Sequence, residues 1–474
     1  MKKVILINPP SKTKVIREGR CEQRADSYQY LMVPISLPSV AAVLRKGGFE
    51  VEIIDCIAEE ISLEELESTL KKRKPLLAVV NVATMSFDTD KETAEVCRKL
   101  KIPCAAMGMH VTTIPQEALK NSEFGMAIMA EPELITLNLS KAIRDKKNLK
   151  TVKGIAFKKG SKIIKNSPEK LIQNLDELPF PARDLLNNEK YTAPITQRPY
   201  TLIITARGCP YGCIFCTASN YYGKKPRIRS PENIVDEIEE VITKYKIRDI
   251  GMWADTFTFS KDQVIGISKE IIKRRLKIDW FCNSRVDTLN EEMVSQMAKS
   301  GCKAVTFGVE SLDENILKQA RKNISFKQVK NAIGLCKKYG IKSQLHLIFG
   351  LPGETRESIE TTIKRAIALN PDYAQFYCAV PFPGTEFRRY VVEKGYLLQT
   401  NWSEYEINNA LVSYPQLSKE EIQTARKKAY RKFYFRPTYI LKKMQEFPLR
   451  EWKKIIPQAY HFFKGWVFSG EIQT

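Results

Sequence analysis

The stretch Arg207-Gly-Cys-Pro-Tyr-Gly-Cys-Ile-Phe-Cys216 decides the reading of this chain. Its cysteines Cys209, Cys213 and Cys216 follow a Cys-x3-Cys-x2-Cys spacing. Three thiolates that close together on one loop can hold three irons of a [4Fe–4S] cube and leave the fourth iron without a protein ligand. An open iron can bind a substrate or cofactor directly, so the spacing points to chemistry as well as electron storage. Gly208, Pro210 and Gly212 let the backbone turn tightly around such a cube, and Phe215 stands just before the last cysteine. A zinc knuckle would need a fourth Cys or His close by. The next cysteine is Cys282, far downstream, and no histidine is near.

Beyond this loop, short apolar runs alternate with amphipathic stretches. Strands are predicted at Thr201–Ala206, Asp249–Trp253, Asp279–Asn283, Ala304–Val309, Ser343–Phe349 and Tyr373–Ala379. Helices are predicted at Pro231–Lys244, Lys261–Arg274, Glu291–Lys299, Phe326–Lys338 and Arg356–Leu369. Such βα steps imply a parallel sheet with right-handed crossovers. A partial (β/α)6, TIM-like barrel closes it, with its site at the carboxyl ends of the strands. The cysteine loop follows the first strand and so belongs to that face. Polar residues stand where other strands end: Asp255, Arg285, Glu310, the Gly350–Gly353 turn and Tyr377. A carboxylate such as Glu310, directly after a buried strand, needs a partner.

Residues 1–140 have another rhythm. Strands at Val4–Ile7, Glu50–Asp55, Leu77–Asn81 and Cys104–Met107 alternate with helices at Ser39–Lys46 and Lys91–Lys99. This predicts a doubly wound, Rossmann-like parallel sheet whose ligands sit at the strand ends. Those ends carry Asn8, Ser86, Gly108 and His110. Residues 141–195 read as a linker, with a hairpin over Gly154–Ser167 turning at Lys159-Gly-Ser-Lys162.

The chain has 474 residues and 43% apolar composition, enough for several packed domains. No run of 18 apolar residues is present, and Met1-Lys-Lys leads straight into a strand pattern with no leader signature. A cytoplasmic protein with reduced cysteines is therefore expected. The formal charge is +22, which suits nucleic acid, an anionic membrane surface or an acidic substrate. Residues 401–474 read as a helical extension. From Arg426 onward, basic residues mix with aromatics, including Trp452 and Trp466. That mixture fits packing on the barrel, peripheral contact with a membrane, or nucleic acid.

The cysteine loop, the segment Phe307-Gly-Val-Glu-Ser311 and the Gly-Leu-Pro-Gly turn at Gly350 resemble radical S-adenosylmethionine (SAM) enzymes. Asn8-Pro-Pro10, Gly108-Met-His110, Glu131-Pro-Glu133 and Leu175-Asp-Glu-Leu-Pro-Phe-Pro181 extend the resemblance to the cobalamin-dependent branch of that family, over about residues 1–400. The resemblance implies an N-terminal cobalamin-binding domain (1–140) beside a radical SAM barrel (196–400). It implies a [4Fe–4S] cluster, SAM and cobalamin as cofactors, and an external electron donor such as flavodoxin or ferredoxin. By the same resemblance Phe215, Asp255, Arg285, Glu310, Gly350, Gly353 and Tyr377 contact SAM, and Asn8, Ser86, Gly108 and His110 contact cobalamin. Two segments depart from the family pattern. The Asp-x-His-x-x-Gly signature of a cobalt-ligating histidine is absent, so His110 is expected as a loop or tail contact and not an axial ligand. The usual Gly-x-Gly-Glu appears as Ala130-Glu-Pro-Glu133.

The implied activity is methyl transfer to an unactivated carbon of a small-molecule or lipid-like substrate by way of a 5′-deoxyadenosyl radical. A non-methylating cyclisation or oxidation, as in the anaerobic cyclase of bacteriochlorophyll synthesis, is the alternative. An RNA-modifying protein is the reading from another class. It fits less well, because methylthiotransferases resemble a layout with three further N-terminal cluster cysteines.

Overall fold

The computed structural model describes residues 2–11, 13–18, 23–24, 31–193, 196–399, 401–446, 456 and 460. Two sheets organise them. The first has seven strands in the order Glu50–Asp55, Lys3–Asn8, Leu77–Asn81, Cys104–Met107, Met126–Ile128, Ile155–Lys159 and Lys162–Lys165. The first five are parallel, and the last two are joined on through antiparallel pairings. The predicted hairpin therefore forms, and it extends this sheet. Strand order reverses at Lys3–Asn8, between Glu50–Asp55 and Leu77–Asn81, which makes the ends of these strands the natural ligand crevice. Apolar cores lie on both faces, because residues such as Leu6 and Val79 face one helix layer while Ile7 and Val80 face the other.

The second sheet has six parallel strands in chain order: Tyr200–Ile204, Asp249–Trp253, Asp279–Ser284, Cys302–Glu310, Lys342–Phe349 and Tyr373–Cys378. Helices Pro231–Tyr245, Lys261–Lys273, Glu291–Lys299, Phe326–Lys338 and Arg356–Leu369 connect them, so each predicted step is present. Among the described residues no strand pairs the last with the first, so the barrel stays open on one side.

The extension supplies what the open edge lacks. Helix Lys419–Tyr434 lies along Tyr373–Cys378 and buries Ile422, Arg426, Ala429, Tyr430 and Phe433. The Phe376 N–H donates to the Tyr430 hydroxyl at 3.1 Å, and the Ala374 N–H to Tyr434 at 3.1 Å. Tyr434 returns a bond to the Ala374 carbonyl at 2.7 Å. Helix Pro437–Glu446 then meets the amino ends of the last two strands: Tyr439 donates to Asp372 O at 2.9 Å, and Lys342 reaches Glu446 at 3.0 Å. These residues of the extension are thus packed on the barrel. Trp452 and Trp466 lie outside the described residues. No helix among the described residues is long and apolar enough to cross a membrane.

Candidate functional site

The cysteine loop leaves the first barrel strand through Gly208, at φ +91°. A Cβ there would stand 2.5 Å from the Lys225 carbonyl, so only glycine fits the bend. The Gly208 N–H donates to Asp255 Oδ2 at 3.0 Å, and the Cys209 N–H to Gly223 O at 3.2 Å. Asp255, at the end of the second strand, thereby fixes the start of the loop. Cys209 is buried with its sulfur 3.9 Å from Thr256 Oγ1. Cys213 and Cys216 are half-buried, and Cys213 Sγ lies 4.0 Å from the Arg321 carbonyl. Burial pushes the Cys213 thiol up, with the Lys322 ammonium opposing it. Among the described residues no three Cys, His, Asp or Glu side chains converge on a single-ion site. Thiolates that each hold a different iron need no such convergence. Phe215 packs half-buried against the barrel core.

Arg285 and Glu310 flank this loop. The Arg285 guanidinium lies 3.7 Å from the ring centroid of Tyr211, inside the loop. It donates to both Asp287 oxygens at 2.9 Å and to the Lys322 carbonyl at 2.8 Å, and its buried Nη1 has no partner. An orphaned, buried guanidinium nitrogen beside an open cluster is a fit for a carboxylate such as that of SAM. Glu310 sits at φ +70°, an uncommon conformation for a residue with a side chain, where the strand register shifts. Its carboxylate pairs with Lys322 Nζ at 2.9 Å, both groups being buried. Lys322 is thus the partner that the sequence demanded without identifying. The Gly350–Gly353 turn lies beneath the extension: Tyr414 donates to Gly350 O at 2.8 Å, and a Cβ on Gly353 would collide with Gln319. The Glu354 carboxylate accepts the backbone N–H groups of Gly350 and Leu351. Tyr377 lies inside the barrel, edge-on to His346 with ring centroids 5.2 Å apart.

The strand ends of the first sheet face the same loop. Asn8 donates to Asp55 at 2.7 Å and accepts from Arg17 at 3.0 Å. Arg17 pairs with Asp90 at 2.6 Å, both fully buried, and Ser86 donates to Asp90 at 2.6 Å. Arg17 and Asp90 carried no sequence signal, since each reads as an ordinary charged residue. Gly108, at φ +128°, passes so close to Val82 that a Cβ would lie 2.2 Å from its carbonyl oxygen. Beside it the buried Asn81 Nδ2 has no partner. A cleft opens here, walled by Asn81 and Gly108 on one side and by Tyr222, Trp253 and Asp255 on the other. A close-approach glycine and an orphaned amide are features that a corrinoid, rich in amide groups, would use. His110 lies elsewhere, buried between Phe87 and Trp402 with ring centroids at 4.3 and 5.0 Å, and neither ring nitrogen has a partner.

An ion network ties the two walls of the cleft together. Arg207, two residues before Cys209, reaches Glu131 at 3.2 Å and Glu133 at 2.5 Å, and Arg227 reaches Glu131 at 2.8 Å. All four side chains are buried. The Glu131-Pro-Glu133 motif therefore anchors the cysteine loop to the first domain.

The site is thus a thiol loop at a barrel mouth, locked against the crevice of a doubly wound sheet. The model of the Radical SAM superfamily matches residues 203–366, and that of the B12 binding domain matches residues 24–139. An uncharacterized methyltransferase of Pyrococcus horikoshii is 32% identical over 94% of this chain and 95% of its own length. The chain belongs to the cobalamin-dependent radical SAM family of enzymes. The anaerobic magnesium-protoporphyrin IX monomethyl ester cyclase of Rubrivivax gelatinosus is 26% identical over 86% of the chain and 74% of its own. The structure of the radical SAM methyltransferase TsrM from Kitasatospora setae, with cobalamin and a [4Fe–4S] cluster bound, superposes with a TM-score of 0.70 at 19% identity, over 84% of this chain and 76% of that one. At that identity the likeness is one of fold.

Proposed function

We propose that the chain is a methyltransferase acting on an unactivated carbon of a small molecule. The observation that carries this reading is a cleft whose walls come from the strand ends of one domain and the cysteine-loop side of the other. When bound there, cluster and SAM supply a radical able to take hydrogen from carbon, and cobalamin supplies a transferable methyl group. The residues' share is placement. Cys209, Cys213 and Cys216 hold three irons, and Asp255 fixes the loop through the Gly208 N–H. Arg285 offers its unpaired Nη1 to the carboxylate of SAM. Asn81 and Gly108 receive the corrinoid, and the Glu131–Arg207 network holds the two halves in register. Electrons come from an outside carrier of the flavodoxin or ferredoxin kind.

The exposed apolar residues Phe435, Ile440, Leu441 and Met444 give the extension a face suited to peripheral membrane contact, which co-sedimentation with phosphatidylserine vesicles tests. Anaerobic reconstitution with methyl-labelled SAM tests the activity. Label should leave SAM for a product, with S-adenosylhomocysteine and 5′-deoxyadenosine both formed. Formation of 5′-deoxyadenosine without any label transfer would favour cyclase-type chemistry, the activity of the Rubrivivax relative, and exclude methylation.

A further inference from the structure

The interior of the barrel carries a set of polar side chains of which only Tyr377, expected against SAM, enters the cofactor reading. Along Lys342–Phe349, Leu345, Leu347 and Phe349 are fully buried against the helices, while Gln344 and His346 between them are only half-buried. Along Tyr373–Cys378, Gln375 is half-buried between the buried Ala374 and Phe376. Strand residues alternate between faces, so Gln344, His346 and Gln375 point away from the helix layer and into the barrel. Strands flank Lys342–Phe349 on both sides and the extension covers the edge of Tyr373–Cys378. Solvent therefore reaches these side chains from the interior.

The register stacks them in layers. Thr306 pairs with Gln344, Gly308 with His346, His346 with Gln375, and Ile348 with Tyr377. Gln344 Nε2 lies 3.1 Å from His346 Nε2, which lies 3.4 Å from the Tyr377 hydroxyl, and that hydroxyl donates to Gln375. Gly308 contributes no side chain opposite His346, and the Glu310–Lys322 pair covers it: a Cβ there would meet Glu310 Oε1 at 2.6 Å and Lys322 Nζ at 3.2 Å. The chamber thus has a hydrogen-bonding wall directly below the residues assigned to SAM.

Its charges are already matched. Lys322 is neutralised by Glu310, and Lys342, on the same face at the amino end, by Asp372 at 3.4 Å and Glu446 at 3.0 Å. An anionic group entering the barrel finds neutral donors and acceptors where it would need a cation. A hydrocarbon would strip water from the three half-buried polar side chains Gln344, His346 and Gln375 and return no hydrogen bond.

We propose that this chamber binds the substrate, and that it takes an uncharged end bearing several hydroxyl or amide groups, held by Gln344, His346, Gln375 and Tyr377. The inference rests on the radical SAM reading and adds the substrate class to it. Because the chain has three histidines, the imidazole spectrum of the 15N-histidine-labelled full-length protein is simple, and His346→Leu assigns the signal. Methyl β-glucoside should shift that signal, whereas its 6-phosphate and cyclohexane should not. In the anaerobically reconstituted holoenzyme reduced with dithionite, perdeuterated methyl glucoside should pass deuterium to 5′-deoxyadenosine. Gln344→Leu and Gln375→Leu should lower that transfer about tenfold while keeping the cluster absorbance, a loss equivalent to about 1.4 kcal/mol. An equal shift by the phosphate or by cyclohexane, no shift by the glucoside, or deuterium arriving preferentially from perdeuterated cyclohexane overturns the proposal alone. Absence of 5′-deoxyadenosine from every sample overturns the radical reading beneath it.

Discussion

At the scale of single residues, the proposed iron site rests on three thiols, and two buried groups with opposing titrations shape the pH dependence of stability. Cys209→Ala, Cys213→Ala and Cys216→Ala should each abolish the brown absorbance of the reconstituted protein, and Cys282→Ala should not, since Cys282 is a buried barrel residue beside Cys302. Iron lost equally in Cys282→Ala would refute the three-thiolate reading.

Burial holds the His110 imidazole down to about 3 from 6.5, with Arg388 adding to the effect. The unfolded chain takes up this proton below about 6.5 and the folded chain does not, so the contribution is present above 6.5 and lost as pH falls toward 3. Burial pushes Glu354 up to about 8 from 4.5, against the backbone bonds from Gly350 and Leu351. Here the folded chain keeps a proton that the unfolded chain releases, so stability falls as pH rises from 4.5 to 8. Urea midpoints across pH should flatten on the acid side in His110→Leu and between 4.5 and 8 in Glu354→Gln. Each slope amounts to on the order of 1.4 kcal/mol per pH unit. Unchanged profiles would mean that both groups titrate normally.

At the scale of elements, the last barrel strand is completed by hydroxyls. Tyr430→Phe combined with Tyr434→Phe strands the N–H groups of Phe376 and Ala374. Each buried, unsatisfied donor costs about 1–3 kcal/mol, so denaturant titration should show a loss of a few kcal/mol with the cluster intact. A loss below about 0.5 kcal/mol would show that water reaches the edge.

This is also the scale at which the sequence was most and least legible. Each barrel strand follows from a short apolar run and each long connecting helix from an amphipathic pattern, while the short helices Ala218–Tyr222 and Glu314–Gln319 carried no such signal; the cysteine loop follows from a local spacing. The hairpin Ile155–Lys165 was legible as a hairpin. Its membership of the first sheet was not, because strand pairing is a long-range choice that local pattern does not encode. Lys322 and Arg17 escaped for a related reason: nothing near them in sequence distinguishes a buried ion partner from a solvated charge. For Tyr430 and Tyr434 the basic, aromatic mixture left barrel packing, membrane contact and nucleic acid open, and only the open edge gives them donors to meet.

At the scale of the whole molecule, the two domains are held by Arg207, Arg227, Glu131 and Glu133. Removing one member leaves an uncompensated buried charge, a change that costs about 3–5 kcal/mol. Glu133→Gln should therefore release the loop from the first domain. The variant should keep secondary structure by circular dichroism, yet be cut faster by protease between residues 166 and 199. An unchanged cleavage rate would assign the domain contact to apolar packing. Arg17, Arg183, Arg207 and Arg229 sit in buried pairs with carboxylates, so the formal excess of +22 resides almost entirely in other basic residues.

The hydroxyl-capped strand has a consequence for biosynthesis. Chains emerge from the ribosome amino end first, and domains begin to fold as they appear. The sixth strand is therefore available before residues 419–434 have left the ribosome, and for that interval its amide row is a bare template for pairing with a neighbouring nascent chain. On a polysome these exposed edges lie side by side. Yield of intact enzyme should then depend on the pace of translation through the segment after Cys378 and on chaperones that shield the edge, in a protein whose finished form gives no sign of that need.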